Sequence, residues 1–267
     1  MLIREILAFI SLGLASLFIL FTCVIPSLLY IVYFVQISEV SNIILFLFKI
    51  FYYVIIIISI NMASFLFIPP MIFRIFKIMP REGEYDLTPL NKEVYKWYLS
   101  LSLYKTSMII GRISHITRGL VIRLFGGKVG RDVYFQGHVT EPYFLEIGDY
   151  TVVGDQAKIF THIADKPGKI LFGRVKIGKN CLIGYGALVM PRSKIKDYVI
   201  IGAYSIVPKG SVLDKGIWVG SSARKIRDLN PEEIKIVRPE QEFIPIRFLK
   251  QRIFQRKTKQ TVSSEFT

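Results

Sequence analysis

The sequence predicts a mainly β chain, a solenoid of parallel strands wound from a six-residue repeat and preceded by an α-helical transmembrane hairpin. Three observations carry this reading. An apolar residue recurs at every sixth position from Val129 to Val219, glycine repeatedly follows it, and the first eighty residues are apolar and almost free of charge. With 52% hydrophobic residues the chain of 267 is not a disordered one. Its formal charge of +15 is carried almost entirely beyond residue 80, so a wholly soluble chain is excluded as well.

The membrane hairpin comes first (1–80). From Ile6 to Val35 there is no formal charge, more than the roughly 20 residues that cross a hydrocarbon core and too long for a secretory leader. A second apolar stretch runs from Ile43 to Phe73, interrupted by Lys49 and Asn61, with Pro69 and Pro70 expected to end or bend the helix. The connector between the stretches carries no base, whereas Arg4 precedes them and Arg74, Lys77 and Arg81 follow. Both ends are therefore expected in the cytoplasm, with everything after the hairpin on that side of the cell membrane.

A helical connector follows (81–128). Asn91 is expected to cap a helix through Leu103. Ile109, Ile110, Ile113, Ile116, Leu120, Val121 and Leu124 then alternate with Arg112, His115, Arg118 and Arg123. That pattern suits a basic amphipathic helix on an anionic bilayer, or equally a helix packed on the next domain. Gly126 and Gly127 mark its end.

The repeat occupies 129–228. Stepping by six from Val129, only Glu141 and Asp165 break the apolar series. Glycine follows the apolar residue at Gly130, Gly148, Gly154, Gly178, Gly184, Gly202 and Gly220, and a small or β-branched residue stands four positions after it, as at Thr151, Ala157, Cys181, Ala187 and Ser205. A chain that turns a corner every six residues needs an inward branched residue, a small corner residue and glycine. Three units close a coil of eighteen residues, so about five coils are expected, each stabilised by its neighbours. Cys181 and Cys23 are not expected to pair, in keeping with a reducing compartment.

Thr140-Glu141-Pro142 and the segment 164–170 read as loops, and loops on a rigid scaffold commonly carry function. Between them stands His162, three residues after Ile159 and facing outward. Adding eighteen reaches Asn180, which would share a groove with it if 164–170 makes one turn of the path. A neutral imidazole there suits a general base acting on a hydroxyl or amine that attacks a thioester. Glu141, Asp149 or Asp155 could orient it. A surface histidine at a corner is the plainer alternative. His138 falls on another face, and His115 belongs to the connector.

Residues 126–228 resemble the hexapeptide-repeat acyltransferases, which include sugar O-acetyltransferases. The likeness lies in Ile147-Gly148-Asp149, Ile177-Gly178-Lys179-Asn180, the outward His162, and Ile183-Gly184-Tyr185-Gly186-Ala187-Leu188-Val189-Met190-Pro191 with Ile201-Gly202-Ala203-Tyr204-Ser205. It implies a left-handed β-helix, a homotrimer, and acetyl-CoA or another acyl-CoA as donor in a groove between subunits, with no metal. It also implies His162 as the base, the backbone around Gly184, Ala187, Gly202 and Ser205 along the pantetheine, and bases such as Arg224 and Lys225 at the coenzyme phosphates. Ser222 and Arg192 replace a Pro and a Gly frequent in the family. Leu124–Gly130, Thr140-Glu141-Pro142 and Thr161-His162 further resemble the membrane-attached terminal domains of poly-lysine type peptide synthetases, without their adenylation or carrier domains.

The tail (229–267) is expected to begin with a capping helix at Asn230-Pro231 and to end in a basic tract facing lipid. No element for nucleic acid recognition accompanies that charge. The expected activity is acyl transfer to a small-molecule or lipid-linked acceptor. The competing class is a noncatalytic trimeric scaffold at a membrane. A metal-dependent carbonic anhydrase on the same solenoid would need three converging histidines, and His115, His138 and His162 are unsuitably spaced for it.

Overall fold

The computed structural model describes residues 43–229, together with Ile25, Leu28, Leu29 and Val32. The first expected span, apart from those four positions, and the tail from 230 onward lie outside the described residues. The long apolar helix α1 spans Ile43–Ile75. Among the described residues it is the one helix long and apolar enough to cross a membrane.

Of the two expected effects of Pro69 and Pro70, ending the helix does not occur: α1 runs on through both. Proline lacks the N–H that would bond four residues back, so Pro69 frees the carbonyl of Phe65. Ser107 of the next helix donates its Oγ hydrogen to that oxygen at 2.9 Å. The interruption is thus a docking point for another helix. That helix, α2 (Lys92–Gly111), begins at Asn91, whose side chain accepts the Glu93 N–H, and runs eight residues beyond the expected end. Ser114 and Thr117 form a capping box that starts α3 (His115–Leu124).

The later half of the basic stretch packs on the domain, while Ile109, Ile113 and Ile116 in its first half stay exposed. Val121 and Ile122 of α3 are buried, with Phe125, against the first coil. Arg118 donates to the carbonyls of Gln136 and Gly137, Arg123 donates to Val129 and Gly130, and Arg74 of α1 donates to the last carbonyls of α3. These arginines serve backbone oxygens at an otherwise open solenoid end.

The solenoid has three parallel faces. The first stacks Lys128–Val129, Leu145–Ile147, Val175–Ile177, Lys194–Ile195 and Val212–Leu213 (β2, β5, β10, β13, β16). The second stacks Tyr134–Phe135, Val152–Val153, Leu182–Ile183, Val199–Ile201 and Gly216–Val219 (β3, β6, β11, β14, β17), closed by antiparallel Arg224–Arg227 (β18). The third stacks His138–Val139, Lys158–Ile159, Leu188–Val189 and Ile206–Val207 (β4, β7, β12, β15). Phe135, Ile147, Val153, Ile159, Ile183, Val189 and Ile201 fill the interior, and Ala157, Cys181, Ala187 and Ser205 are buried beside them.

Both polar positions in the register have a structural reason. In the first coil Val139 pairs with Ile159, so the inward place belongs to Val139 and not to Glu141. The chain turns early through Gly137, and the 3₁₀ turn Pro142–Phe144 restores the count. Asp165 is not in the coil. The chain leaves the solenoid after Thr161 in an antiparallel hairpin, His162–Lys166 and Lys169–Phe172 (β8, β9), and β10 re-enters beside β5. Successive coils are here thirty residues apart, as in Val153 with Ile183. The hairpin adds about two six-residue units, which is why the period survived it. Gly83–Asp86 (β1), just after α1, pairs antiparallel with β9.

The corner glycines answer a different need from the one expected. The left-handed corner residues are mostly not glycine: Tyr150, Asn180 and Tyr198 at one corner, Gln156 and Tyr204 at the next. Gly184 is instead required by close approach, since a Cβ there would lie 2.6 Å from the backbone nitrogen of Ala203 in the next coil.

Candidate active site

His162 opens the hairpin at the corner between the third and first faces, and Glu141 occupies the same corner one coil earlier. Each follows a threonine, and the two threonines lock the coils together. The Thr161 N–H donates to Thr140 Oγ1 at 3.0 Å, and the Glu141 N–H donates to Thr161 Oγ1 at 3.1 Å. Glu141 is 1% exposed, a costly place for a carboxylate without partners. It has four. Trp97 Nε1 donates to Oε1 at 2.8 Å. Thr140 and Thr161 donate to Oε2 at 2.6 Å each, and His162 Nδ1 stands 2.9 Å from the same oxygen.

Burial pushes the Glu141 carboxyl up, but the bonds from His162, Thr140 and Thr161 outweigh it and hold the group below its ordinary value. The carboxylate is therefore ionised and acts only as an acceptor. Nδ1 must then carry a hydrogen, which leaves Nε2 of a neutral ring with a free lone pair. Of the three acids considered as orienting partners, Glu141 is the one in contact. Asp149 pairs with Lys179 and accepts from the Arg131 N–H, and Asp155 accepts from the Gln156 N–H.

Trp97 went unread in the sequence. It lies on α2 with its ring edge-on to His162, centroids 5.0 Å apart, while Phe172 of the hairpin flanks the imidazole from another side. Its one visible signal is a lone tryptophan on a helix whose wet face is basic. The histidine ring lines a mostly apolar cleft of about 360 Å³, walled by Leu87, Tyr98, Phe160, Ala164, Ile170 and Met190.

Asn180 lies elsewhere. With the hairpin projecting outward, the coil position matching His162 is Arg192, and Asn180 sits a corner away above Tyr150, in a left-handed conformation that asparagine tolerates. The shared register with His162 therefore does not hold. Gly184, Ala187, Gly202 and Ser205 stack along the corner between the second and third faces, rimmed by Tyr185 and Tyr204. Ala187 and Ser205 point inward, and Ser205 Oγ accepts the Gly220 N–H, so this edge presents backbone. Arg224 and Lys225 are exposed on β18, with Lys225 paired to Asp228. Burial pushes the Cys181 thiol up to about 11, so it is no ready nucleophile. His138 stands on the third face, and His115 stacks near Tyr134.

Residues 174–220 match the family described as "Bacterial transferase hexapeptide (six repeats)". The chain is 22% identical over 189 residues to the delta-poly-L-ornithine synthetase of Acinetobacter baumannii, covering 70% of this chain but only 14% of that protein's length. It is 30% identical over 128 residues to Protein CapG of Staphylococcus aureus, covering 43% of this chain and 74% of that one. A hexapeptide-repeat acetyltransferase from Vibrio cholerae, solved with acetyl coenzyme A, superposes with a TM-score of 0.45 at 16% identity, over 58% of this chain and 98% of that one.

Proposed function

Because this chain belongs to the hexapeptide-repeat acyltransferase family, we propose that it moves an acetyl or other acyl group from coenzyme A to a hydroxyl or amine, with His162 as general base and Glu141 as its orienting partner. The observation that carries the reading is the buried, ionised Glu141 holding His162 Nδ1 at 2.9 Å on the wall of a cleft. Such a pair sets the tautomer in which Nε2 accepts a proton.

The donor supplies a thioester carbonyl and a thiolate leaving group. The residues present suit it. Strand β12 connects the smooth corner at Gly184 and Ala187 to Met190 on the cleft wall, directly over the strand that leads to His162. A pantetheine arm leaving the corner across this third face would run over the outward side chains of Lys158, Leu188 and Ile206, with Arg224 and Lys225 available to phosphate at the far end.

His162 Nε2 takes the proton of the acceptor as its oxygen or nitrogen attacks the thioester carbonyl. The Glu141 carboxylate faces the imidazolium so formed and stabilises it. When the carbon–sulfur bond breaks, His162 returns the proton to the departing sulfur, and the dyad is restored. Trp97 and Phe172 fix the ring plane throughout.

We further read the protein as tethered to the cell membrane through α1 and its preceding apolar stretch, with the solenoid on the cytoplasmic side, assembled as a homotrimer and acting on a small-molecule or lipid-linked acceptor. The apolar exposure of α1 and the bases after it support that placement. The test is release of free thiol from acetyl-CoA by the purified full chain with candidate acceptors. His162→Ala should abolish the acceptor-dependent release, and unchanged turnover would remove His162 from the role.

A further inference from the structure

Helices α1 and α2 are antiparallel neighbours. Phe65 lies level with Ser107, and Phe73 lies against Tyr143, whose hydroxyl meets Ser100. The side chains of α1 are packed on the body from about Ser64 to Phe73. Before that point the helix stands clear, with Leu47, Phe48, Phe51, Ile55 and Ile58 exposed. The helix from residue 43 to residue 62 is about 30 Å long at 1.5 Å per residue, the thickness of a hydrocarbon core.

Continuing the antiparallel match, Met62 lies level with Gly111, the last residue of α2. There the chain exposes three isoleucines in a tight group: Ile109 at 58%, Ile113 at 62% and Ile116 at 71%. Arg112 and His115 are exposed among them. No ion pair within 4.0 Å is formed by Arg112 among the described residues. Bare isoleucine beside a base, at the level where an apolar helix emerges, suits the boundary between acyl chains and anionic headgroups.

We propose that the corner between α2 and α3 is seated in the bilayer interface and holds the His162 cleft a fixed height above the hydrocarbon. This rests on the reading of α1 as a membrane span. Trp97, which touches the catalytic ring, lies about fourteen residues along α2 from Gly111, hence about 21 Å from the interface. A tilt of about 20° shortens this by less than a tenth. The group acylated, if carried by a lipid, therefore sits on a long polar headgroup. A hydroxyl at glycerol depth does not reach the cleft.

The test uses the full chain, with Cys23→Ser and the buried Cys181 left in place, in vesicles of phosphatidylcholine and phosphatidylglycerol that contain lipid with a nitroxide either near the headgroup or, in a separate preparation, midway along an acyl chain. Single cysteines replace Val54, Ile113, Ile116, Ile163 and Lys194 in turn, each labelled with a bimane fluorophore. The expected result is loss of more than about half the emission at 113 and 116, where side chains dip several ångströms into the interface, and none at 163 or 194. Quenching at 54 alone would overturn the interfacial corner while leaving the tether in place. Quenching at 163 would overturn the height of the cleft. No quenching at 54 by the acyl-chain nitroxide would remove the membrane span itself, and the proposal with it.

Discussion

Glu141→Gln isolates the orientation of His162 from the shape of the site. The amide is isosteric with the carboxylate, so packing around Trp97, Thr140 and Thr161 is preserved. Its chemistry is not. A glutamine can keep its oxygen toward the Trp97 N–H only by turning its NH₂ toward His162. The imidazole then accepts at Nδ1, and its hydrogen moves to Nε2, the atom that must be bare. Loss of a general base costs about a hundredfold to ten-thousandfold in turnover, or about 3–5 kcal/mol of barrier. The threonine hydroxyls can rotate to accept from the new NH₂, so the fold loses only about 1–3 kcal/mol. The variant should therefore melt cooperatively a few degrees lower while its kcat collapses and its KM changes little. Ring-nitrogen NMR gives a readout independent of any acceptor, because the chain has only three histidines. One imidazole should show protonated Nδ1 in the parent and protonated Nε2 in the variant. Unaltered turnover, or a parent His162 already protonated at Nε2, would refute the dyad. The double variant Glu141→Gln with His162→Ala should be no slower than His162→Ala alone, since the two act as one unit.

Trp97→Phe keeps the ring contact but leaves Glu141 Oε1 without its donor, and a thermal melt should register a loss of about 1–3 kcal/mol. Gly184→Ala forces a methyl against the backbone of the next coil. It should cost about 1–3 kcal/mol and shorten amide-exchange lifetimes on both sides of that corner. Acid should weaken the fold through Glu141. Its folded pKa lies below the ordinary 4.5, so its ionised form contributes stability above the unfolded value, a contribution lost as pH falls from about 4.5 through the folded value. The acid limb of a stability–pH profile should accordingly flatten in Glu141→Gln.

The periodic part of the fold was legible because each coil must place one branched side chain inward at a fixed interval, whatever its neighbours do. Departures of compensating length were not. Gly137 and the 3₁₀ turn cancel each other, and the hairpin is a whole number of units, so counting by six passed through Glu141 and Asp165 without a slip. The same cancellation made Asn180 look like the partner of His162, when the coil had already moved round. The imidazole itself could be found, since an isolated histidine beside a loop is a visible anomaly. Its surroundings could not. Trp97 reaches Glu141 from a helix more than forty residues upstream, and no local spacing encodes a contact made by docking. Pro69 likewise reads as a break until Ser107 is seen to satisfy the carbonyl it frees.

Strand β1 has a consequence for synthesis. Gly83–Asp86 leaves the ribosome more than eighty residues before β9, its one pairing partner among the described residues, and at this stage it is a bare ribbon edge next to an oily helix. Glu84 and Asp86, with Glu82 just before the strand, make it acidic. Like charges on an unpaired strand discourage it from joining the same strand on a neighbouring nascent chain. Once the hairpin emerges, Arg174, Lys166 and Lys169 meet those three acids one for one. The negative charge that keeps the waiting ribbon solitary is the same charge that selects its eventual mate.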